Sequence, residues 1–366
     1  MKHIETPAWK LTADCIRSSF RSSGKRHLLL IGSKQSGKST LLSLLTNNAL
    51  PGITTRTITG DSVYLLENST GHEALIGVRD ILREGANCRM HPIFSGFMAL
   101  GLPAMERCIR CDSPWISMDQ IGCLELACPE YCDLLLRLMD RKRLIATVWK
   151  QEHPFLTRLL QRHDVFAVDL DQPFGDFGCV IMASGLATRF GRNKLMTPFL
   201  GEPMIRRVLN ATDGIFARRV VVTRHRSVAD YCRDLGVEVI LHDLPNRSDT
   251  VRLGLERCAD LPGCMFCQAD QPLLSADTVK SLTLCAAAEP DMIWRAAAEA
   301  TPVSPILFPR WAYPELMELP EGKGGGVVAE KYPQKVKLLS VRNPDELEDA
   351  DTVEDLYRLQ SKSSRV

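Results

Sequence analysis

Residues 32–40, GSKQSGKST, place glycines, a lysine and hydroxyl side chains at a spacing that suits phosphate binding. Glycines let the backbone curl so that successive N–H groups point at phosphate oxygens, and the N-terminus of a following helix adds positive charge. In this pattern the lysine reaches the β- and γ-phosphates and the serine hydroxyl binds Mg²⁺. The segment therefore predicts a site for ATP or GTP with Mg²⁺. Its candidate residues are Gly32, Gly37, Lys38, Ser39 and Thr40, with Ser39 as metal ligand.

A second acid is expected at the end of another strand near such a loop, because ligands gather at the carboxyl ends of parallel strands. The segment WISMDQIGCLE supplies Asp119, which suits a Mg²⁺ contact through water.

A second glycine loop, MASGLATRFGRNKLM at 182–196, follows another apolar run. Backbone N–H groups around Gly185 and the cations Arg189 and Lys194 suit a triphosphate and a departing pyrophosphate. About 80 residues on, Asp270 ends the apolar run CMFCQAD. Asp270 is either a metal ligand at a strand end or the polar residue where a strand meets its turn.

The two glycine loops are held in place by the strands and helices around them. Apolar runs rich in β-branched residues alternate with helix-length segments along the chain. Continuous apolar strands of this kind indicate parallel sheets covered by helices on both faces. The predicted fold class is therefore α/β, with two domains that each contain a mostly parallel sheet. The predicted strands are 27–32, 115–119, 144–149, 165–170, 179–184, 219–224, 237–243, 264–270 and 291–296.

A stretch rich in Gly, Pro and Asp, DQPFGDFG, separates the two loop-bearing halves and is typical of a linker. The predicted domains are a lead-in at 1–25, a nucleotide-binding domain at 26–172 and a second domain at 173–366.

The composition excludes several classes of protein. The 366 residues include 45 Lys and Arg against 44 Asp and Glu, a balance that argues against nucleic acid or an anionic membrane as the main partner. No apolar run reaches the roughly 18 residues of a membrane helix, and the N-terminus lacks the apolar core of a signal peptide. We expect a cytoplasmic protein.

Thirteen cysteines include the Cys-x-x-Cys pairs Cys108/Cys111 and Cys264/Cys267. The pairs are too far apart in sequence for a typical zinc site, and buried packing is the favoured interpretation. The cluster between Cys108 and Cys132 leaves a redox or metal role open.

The phosphate-binding loop, DQIGCLE and the later PFLTRLLQRHDVFAVDLD together resemble the P-loop nucleoside-triphosphatases of thermophile type. That resemblance implies a P-loop NTPase fold. The family has Glu where this chain has Gln120, an amide that is a much weaker base for activating water. Glu125 is the alternative candidate for that role, with Asp119 at the metal. The substitution favours slow hydrolysis or nucleotide sensing.

The second half resembles the MobA-like nucleotidyltransferases of molybdenum-cofactor maturation. The resemblance rests on the glycine loop, on Asp270-Gln271-Pro272, and on the tail LEDADTVEDL. It implies a Rossmann-like fold, Mg²⁺ held by Asp270 with Asp349 as second ligand, and Arg189, Lys194 and Asp270 as catalytic residues. The nucleotide-binding positions are Ala183, Ser184 and Gly185.

Two positions depart from this family's pattern. In the first glycine loop, members that select CTP have Ala-Ala-Gly and members that select GTP have Ala-Gly-Gly. This chain has Ser184 at the middle position, and the NKLM that follows favours CTP. Ser304 stands where the family has His near the acceptor. The segment EGKGGG at 321–326 is either a surface turn or part of an acceptor-binding loop.

The leading hypothesis is an enzyme that joins CTP to a molybdopterin-type acceptor and carries an NTP-binding P-loop domain. One alternative is a nucleotide-switched chaperone that delivers the cofactor to a molybdenum hydroxylase apoenzyme. Another is a nucleotidyltransferase that uses a different NTP or a sugar-phosphate acceptor.

Overall fold

The computed structural model describes residues 6–58, 62–79, 90–171, 176–185, 193–341 and 343–363, with side chains from residue 13 to residue 362. The chain divides into two compact units, with the division between Pro173 and Phe174. Within the described residues, no helix is both long and apolar enough to span a membrane.

The N-terminal helix α1 (Thr6–Ser23) comes before both loop-bearing halves. Its residues Asp14–Ser22 belong to the second unit. Ile16 is fully buried, and the Ser19 hydroxyl donates to the carbonyl of Ser281, 3.1 Å away. The predicted lead-in thus contains a helix with a buried face.

The first unit contains one eight-stranded sheet in the order β5-β4-β3-β2-β6-β7-β1-β8. Its strands are β1 (His27–Gly32), β2 (Gly52–Ile58), β3 (Ser62–Glu67), β4 (Glu73–Arg79), β5 (Met90–Pro92), β6 (Trp115–Ile121), β7 (Arg143–Trp149) and β8 (Val165–Asp169). Its helices are α2 (Lys38–Thr46), α3 (Phe94–Gly96), a π-helix (Phe97–Gly101), α4 (Leu102–Arg110), α5 (Cys123–Leu126), α6 (Pro129–Arg141) and α7 (Pro154–Leu160).

The strands β2, β6, β7, β1 and β8 are parallel, and all but β2 follow the predicted apolar runs. The strands β3, β4 and β5 extend the sheet as an antiparallel meander that the sequence did not predict. The predicted strands are continuous apolar runs, whereas β3 alternates half-buried and buried positions. Glu67, for example, is buried within β3 and paired with Arg107 at 2.7 Å.

The second unit contains a seven-stranded sheet in the order β13-β12-β9-β14-β16-β15-β17 and a two-stranded β10-β11 hairpin. The strands are β9 (Gly178–Ala183), β10 (Pro198–Phe199), β11 (Glu202–Pro203), β12 (Arg218–Thr223), β13 (Glu238–Leu241), β14 (Gly263–Gln268), β15 (Ile293–Ala298), β16 (Thr301–Pro309) and β17 (Val336–Ser340). The helices are α8 (Ile205–Ala211), α9 (Arg226–Asp234), α10 (Arg247–Arg257), α11 (Ala276–Ala288), α12 (Tyr313–Met317), α13 (Gly326–Lys331) and α14 (Val353–Ser363), with 3₁₀ turns at Lys194–Met196, Arg310–Ala312, Pro333–Lys335 and Pro344–Leu347.

The strands β13, β12, β9 and β14 are mutually parallel, whereas β16 runs antiparallel to both β14 and β15. The prediction of two α/β domains with mostly parallel sheets is confirmed. Cys264 and Cys267 belong to separate core clusters, as expected for strand residues that point to opposite faces.

The described cysteines of the first unit are mostly buried. Burial raises the pKa of Cys108 to about 12 and the pKa of Cys132 to about 11, so both thiols stay protonated. Among the described residues, no group of three or more His, Cys, Asp and Glu side chains is placed to hold a metal.

Candidate functional sites

The phosphate-binding loop joins β1 to α2, as the sequence predicted. Gly37 adopts φ +87° just before α2, a left-handed conformation that favours glycine. A Cβ on Gly32 would come into close contact with the Ser36 side chain, which would have to move to make room for it.

Lys38 folds back over this loop. Its ammonium donates to the carbonyls of Gly32 at 2.9 Å and Ser33 at 2.7 Å. Burial lowers the pKa of Lys38, while Asp171 and Asp119 oppose that shift. The cation is thus held at the loop by backbone oxygens, where it can exchange a carbonyl for a phosphate oxygen.

Ser39 and Asp119 come together, although 80 residues separate them in sequence. The Ser39 hydroxyl donates to Asp119 Oδ1 at 3.1 Å, and the Thr147 hydroxyl donates to the same oxygen at 2.6 Å. A strand irregularity between Met118 and Ile121 carries Asp119 to this position. The pairing of a hydroxyl with a carboxylate is one that Mg²⁺ takes in nucleotide sites.

Glu125 lies on the wall of a cavity of about 560 Å³ that includes the loop residues Lys38, Ser39 and Thr40. Its carboxylate accepts hydrogen bonds from Gly122 N at 2.9 Å and from the Thr55 hydroxyl at 2.8 Å. Burial raises the pKa of Glu125, and Asp119 adds to the shift. One oxygen of Glu125 thus holds the turn between β6 and α5, and the other accepts a hydrogen bond from β2.

Sequence reasoning missed two residues of this site. Thr147 fixes Asp119, and a lone hydroxyl within the apolar strand LIATVW was the available signal. Asp171 accepts hydrogen bonds from the backbone N–H and the hydroxyl of Ser33, at 3.1 and 2.9 Å. It directly follows the β8 segment, where an acid at a strand end again gave a signal.

In the second unit, Lys194 brings together acids from distant parts of the chain. Its Nζ lies 2.7 Å from Asp270 Oδ2 and 2.9 Å from Asp351 Oδ1. Burial alone would lower the pKa of Lys194, but the two carboxylates outweigh burial and the pKa is raised. Asp351 was not among the predicted site residues.

Asp349 lines a cavity of the second unit that also has Lys194, Asp270 and Asp351 in its wall. Desolvation in this cavity raises the pKa of Asp349 to about 6, and repulsion from Asp270 and Asp351 contributes. Three carboxylates and one lysine thus form a compact charged group at the carboxyl end of β14.

Of the predicted nucleotide-binding positions, Ser184 and Gly185 line this cavity, whose volume is about 540 Å³, whereas Ala183 does not. Ala183 is buried at the end of β9, and Ser184 and Gly185 follow it. The Ser184 hydroxyl is hydrogen-bonded to His242 Nε2 at 2.8 Å. Burial lowers the pKa of His242, so the imidazole beside Ser184 is neutral at pH 7.

Two cations on this cavity were missed by sequence reasoning. Arg224 follows β12 and Arg247 begins α10, and both line the cavity. Arg224 ends the predicted strand 219–224, which was its available signal, whereas the predicted elements gave no signal for Arg247. Arg189, predicted as catalytic, lies outside the described residues.

Both units are α/β domains with a glycine loop after the first strand, the arrangement of nucleotide-binding enzymes. Family models match both: an NTPase model covers residues 27–173, and the MobA-like NTP transferase domain covers residues 179–336. The two halves of the chain therefore match these two families in tandem, an NTPase domain followed by a MobA-like NTP transferase domain. The predicted fusion and its assignment to the nucleotidyltransferase class are confirmed.

One curated relative is the 3-deoxy-manno-octulosonate cytidylyltransferase of Alkalilimnicola ehrlichii, 34% identical over 123 residues. The match covers 31% of this chain and 46% of the relative, so the chain spans just under half of that protein.

Two solved structures show similarity to separate parts of the chain. A homologue of Mycobacterium tuberculosis Rv0371c from Mycobacterium sp. strain JC1 is 23% identical, with a TM-score of 0.45, and covers 52% of this chain and 97% of its own. THEP1 from Aquifex aeolicus is 18% identical, with a TM-score of 0.35, and the match covers 39% of this chain and 89% of THEP1.

Proposed function

We propose that the second unit transfers the cytidylyl group of CTP to the terminal phosphate of a molybdopterin-type acceptor, releasing pyrophosphate. The observation that carries the proposal is the position of Lys194 between Asp270 and Asp351, on a cavity that also contains Ser184, Gly185 and Asp349. The match to a MobA-like NTP transferase model supports the reaction class.

The donor set suits Mg²⁺. Two carboxylates, Asp270 and Asp349, lie on the cavity, and Asp270 contributes to the raised pKa of Asp349. A divalent cation between them would relieve this repulsion. Because Mg²⁺ in nucleotide sites is usually held by one or two carboxylates together with substrate phosphates and water, two protein ligands suffice. When bound, the ion would neutralise charge that develops on the phosphates.

The chain's own residues supply the remaining functions. Lys194 brings a buried positive charge to the phosphates, and in our proposal Arg189 joins it at the departing pyrophosphate. An oxygen of the acceptor phosphate attacks the α-phosphorus, the bond from that phosphorus to the bridging oxygen breaks, and pyrophosphate leaves. The attacking oxygen is already ionised at pH 7, so this step requires neither a general base nor a protein nucleophile.

We assign CTP as the nucleotide on two grounds. Ser184 carries a Cβ where GTP-selecting members have glycine, and the curated relative is itself a cytidylyltransferase. That relative also favours a second candidate acceptor, a sugar acid such as 3-deoxy-manno-octulosonate, which would react through a hydroxyl group.

For the first unit we propose binding of ATP or GTP, with Lys38 at the phosphates and Mg²⁺ held by Ser39 and Asp119. Hydrolysis by this unit is slow in our proposal, because Gln120 is a weak base and both oxygens of Glu125 accept hydrogen bonds. The same observation favours a second candidate function, in which the bound nucleotide switches delivery of the finished cofactor to a molybdenum hydroxylase.

The test is pyrophosphate release by the full chain with Mg²⁺ and molybdenum-loaded molybdopterin, with CTP, GTP or ATP in turn. Release with CTP that is lost in Asp270→Asn supports the proposal. Release with another nucleotide would overturn the assignment of CTP, and no release with any nucleotide would leave the delivery function as the better account.

A further inference from the structure

The cavity that contains Lys194 and Asp270 in its wall is called the nucleotide cavity below. A second cavity in the second unit, of about 340 Å³, adjoins it. The two cavities share Met182, Arg247, Gln268 and Asp349 in their walls. Because Asp349 borders both, a molecule in the second cavity would lie next to the phosphates of a bound nucleotide. Its volume is within the range of sites for small molecules.

Arg295, on β15, contributes a guanidinium to this cavity. Its Nη2 donates to the carbonyl of Pro302 at 3.3 Å, whereas its Nε is buried without a hydrogen-bond partner among the described residues. Glu330, which lines the same cavity, acts on the guanidinium through its charge. A buried cationic donor without a partner is costly unless a ligand satisfies it.

Arg247 supplies a second cation where the two cavities meet. It is exposed at the start of α10 and lines both walls. A Cβ on Gly324 would lie 3.0 Å from Arg247 Nε, and a Cβ on Gly325 would lie 2.8 Å from the Phe308 ring. The glycines of EGKGGG therefore let this segment form a cavity wall in close contact with Arg247.

The wall of the second cavity also contains a hydrogen-bond acceptor, on Gln271. Gln271 donates through Nε2 to the Leu347 carbonyl at 2.9 Å, and its Oε1 is buried without a partner among the described side chains. The cavity thus offers an acceptor for a hydroxyl or amino group as well as two donors for an anion.

We infer that this second cavity is the acceptor site, where Arg295 and Arg247 bind an oxyanion of the acceptor. The inference rests on the proposed function of the second unit. Arginine binds phosphate and carboxylate through the same paired N–H donors, so a molybdopterin phosphate and the carboxylate of a sugar acid share the required chemistry.

The experiment compares the full chain with Arg295→Met, Arg295→Lys and Arg247→Met. Arg233→Met is the matched control, because Arg233 is on α9 and pairs with Asp230 at the surface. Initial rates are measured with CTP and either molybdenum-loaded molybdopterin or 3-deoxy-manno-octulosonate. Calorimetry measures the binding of each acceptor separately, and circular dichroism confirms folding.

We expect Arg295→Met to raise the KM of one acceptor about tenfold to a hundredfold, with the KM for CTP unchanged. Arg247→Met should raise the KM of the same acceptor, and because Arg247 lines both cavities its KM for CTP is measured alongside. Arg295→Lys should recover part of the loss. The acceptor that responds identifies the source of the oxyanion. Unchanged acceptor KM values in an active chain would overturn the inference and leave the proposed function intact.

Calorimetry separates the remaining outcomes. If the unmodified chain binds an acceptor without turning over, and Arg295→Met loses that binding, the inference holds and the proposed transfer fails. If the chain binds neither acceptor, the inference is wrong.

Discussion

Lys194 lies between two carboxylates, with its Nζ 2.7 Å from Asp270 Oδ2 and 2.9 Å from Asp351 Oδ1. The lysine side chain is almost fully buried, so its charge is poorly screened by water. An ammonium in this position is available to the phosphates of a nucleotide without first having to be brought out of bulk solvent.

Lys194→Met should therefore lower kcat for pyrophosphate release by about 10²–10³-fold, the range seen when one preorganised group at a developing charge is removed. Lys335→Met, in a 3₁₀ turn that borders neither cavity, is the control and should retain full activity. A Lys194→Met variant with normal kcat would exclude this lysine from the reaction.

The two nucleotide sites should be separable by substitution. Lys38→Ala removes the cation of the phosphate-binding loop, and Asp119→Asn weakens the proposed Mg²⁺ site, so both should abolish phosphate release from ATP or GTP. Neither substitution should change pyrophosphate release from CTP. Asp270→Asn should abolish pyrophosphate release from CTP and leave phosphate release from ATP or GTP unchanged. Loss of both activities in Lys38→Ala would show that the two sites depend on each other.

Ser184 is expected to influence which base is accepted. Ser184→Gly removes the Cβ on the nucleotide cavity and should raise kcat/KM for GTP relative to CTP, whereas Ser184→Ala should keep the preference for CTP. The measurement is kcat/KM with each nucleotide. Ser361→Ala, on α14 away from the cavity, controls for a general effect of losing a hydroxyl group, and an unchanged ratio in Ser184→Gly would assign selectivity elsewhere.

His27 should make the stability of the first unit depend on pH. Its side chain is fully buried, Nδ1 accepts a hydrogen bond from Leu144 N at 3.2 Å, and burial lowers its pKa from 6.5 to about 4. Between those pH values the unfolded chain binds a proton that the native chain does not, so stability is present above pH 6.5 and is lost as the pH falls towards 4. The loss is on the order of 3 kcal/mol.

Asp164, which lies 3.2 Å from His27 Nε2, has its pKa lowered to about 2, chiefly by a hydrogen bond from Arg162, and stays ionised throughout this window. Urea unfolding of His27→Gln at pH 4.5 and 7 should show a smaller difference than the unmodified chain. The exposed His72→Gln should leave the difference unchanged. An equal pH dependence in His27→Gln would assign the effect to other groups.

Much of the fold was predictable because its signals are local. The apolar runs at 27–32 and 179–184 correspond to β1 and β9 within one residue, since strands buried on both faces need unbroken apolar sequence. The antiparallel meander of β3, β4 and β5 was not predictable in the same way. Residues such as Glu67 satisfy their charge by pairing across the fold, which makes a buried strand look polar in sequence.

The amino-acid sequence by itself predicted which residues would bind phosphates, because loop curvature and helix N-termini depend on neighbouring residues. Only the tertiary structure decided which distant groups meet: Ser39 with Asp119, Lys194 with Asp270 and Asp351, and Ser19 of the N-terminal helix with Ser281. The physical reason is that hydrophobic patterning shows which faces are buried, but it does not specify the partner that covers them or the charges that burial brings together.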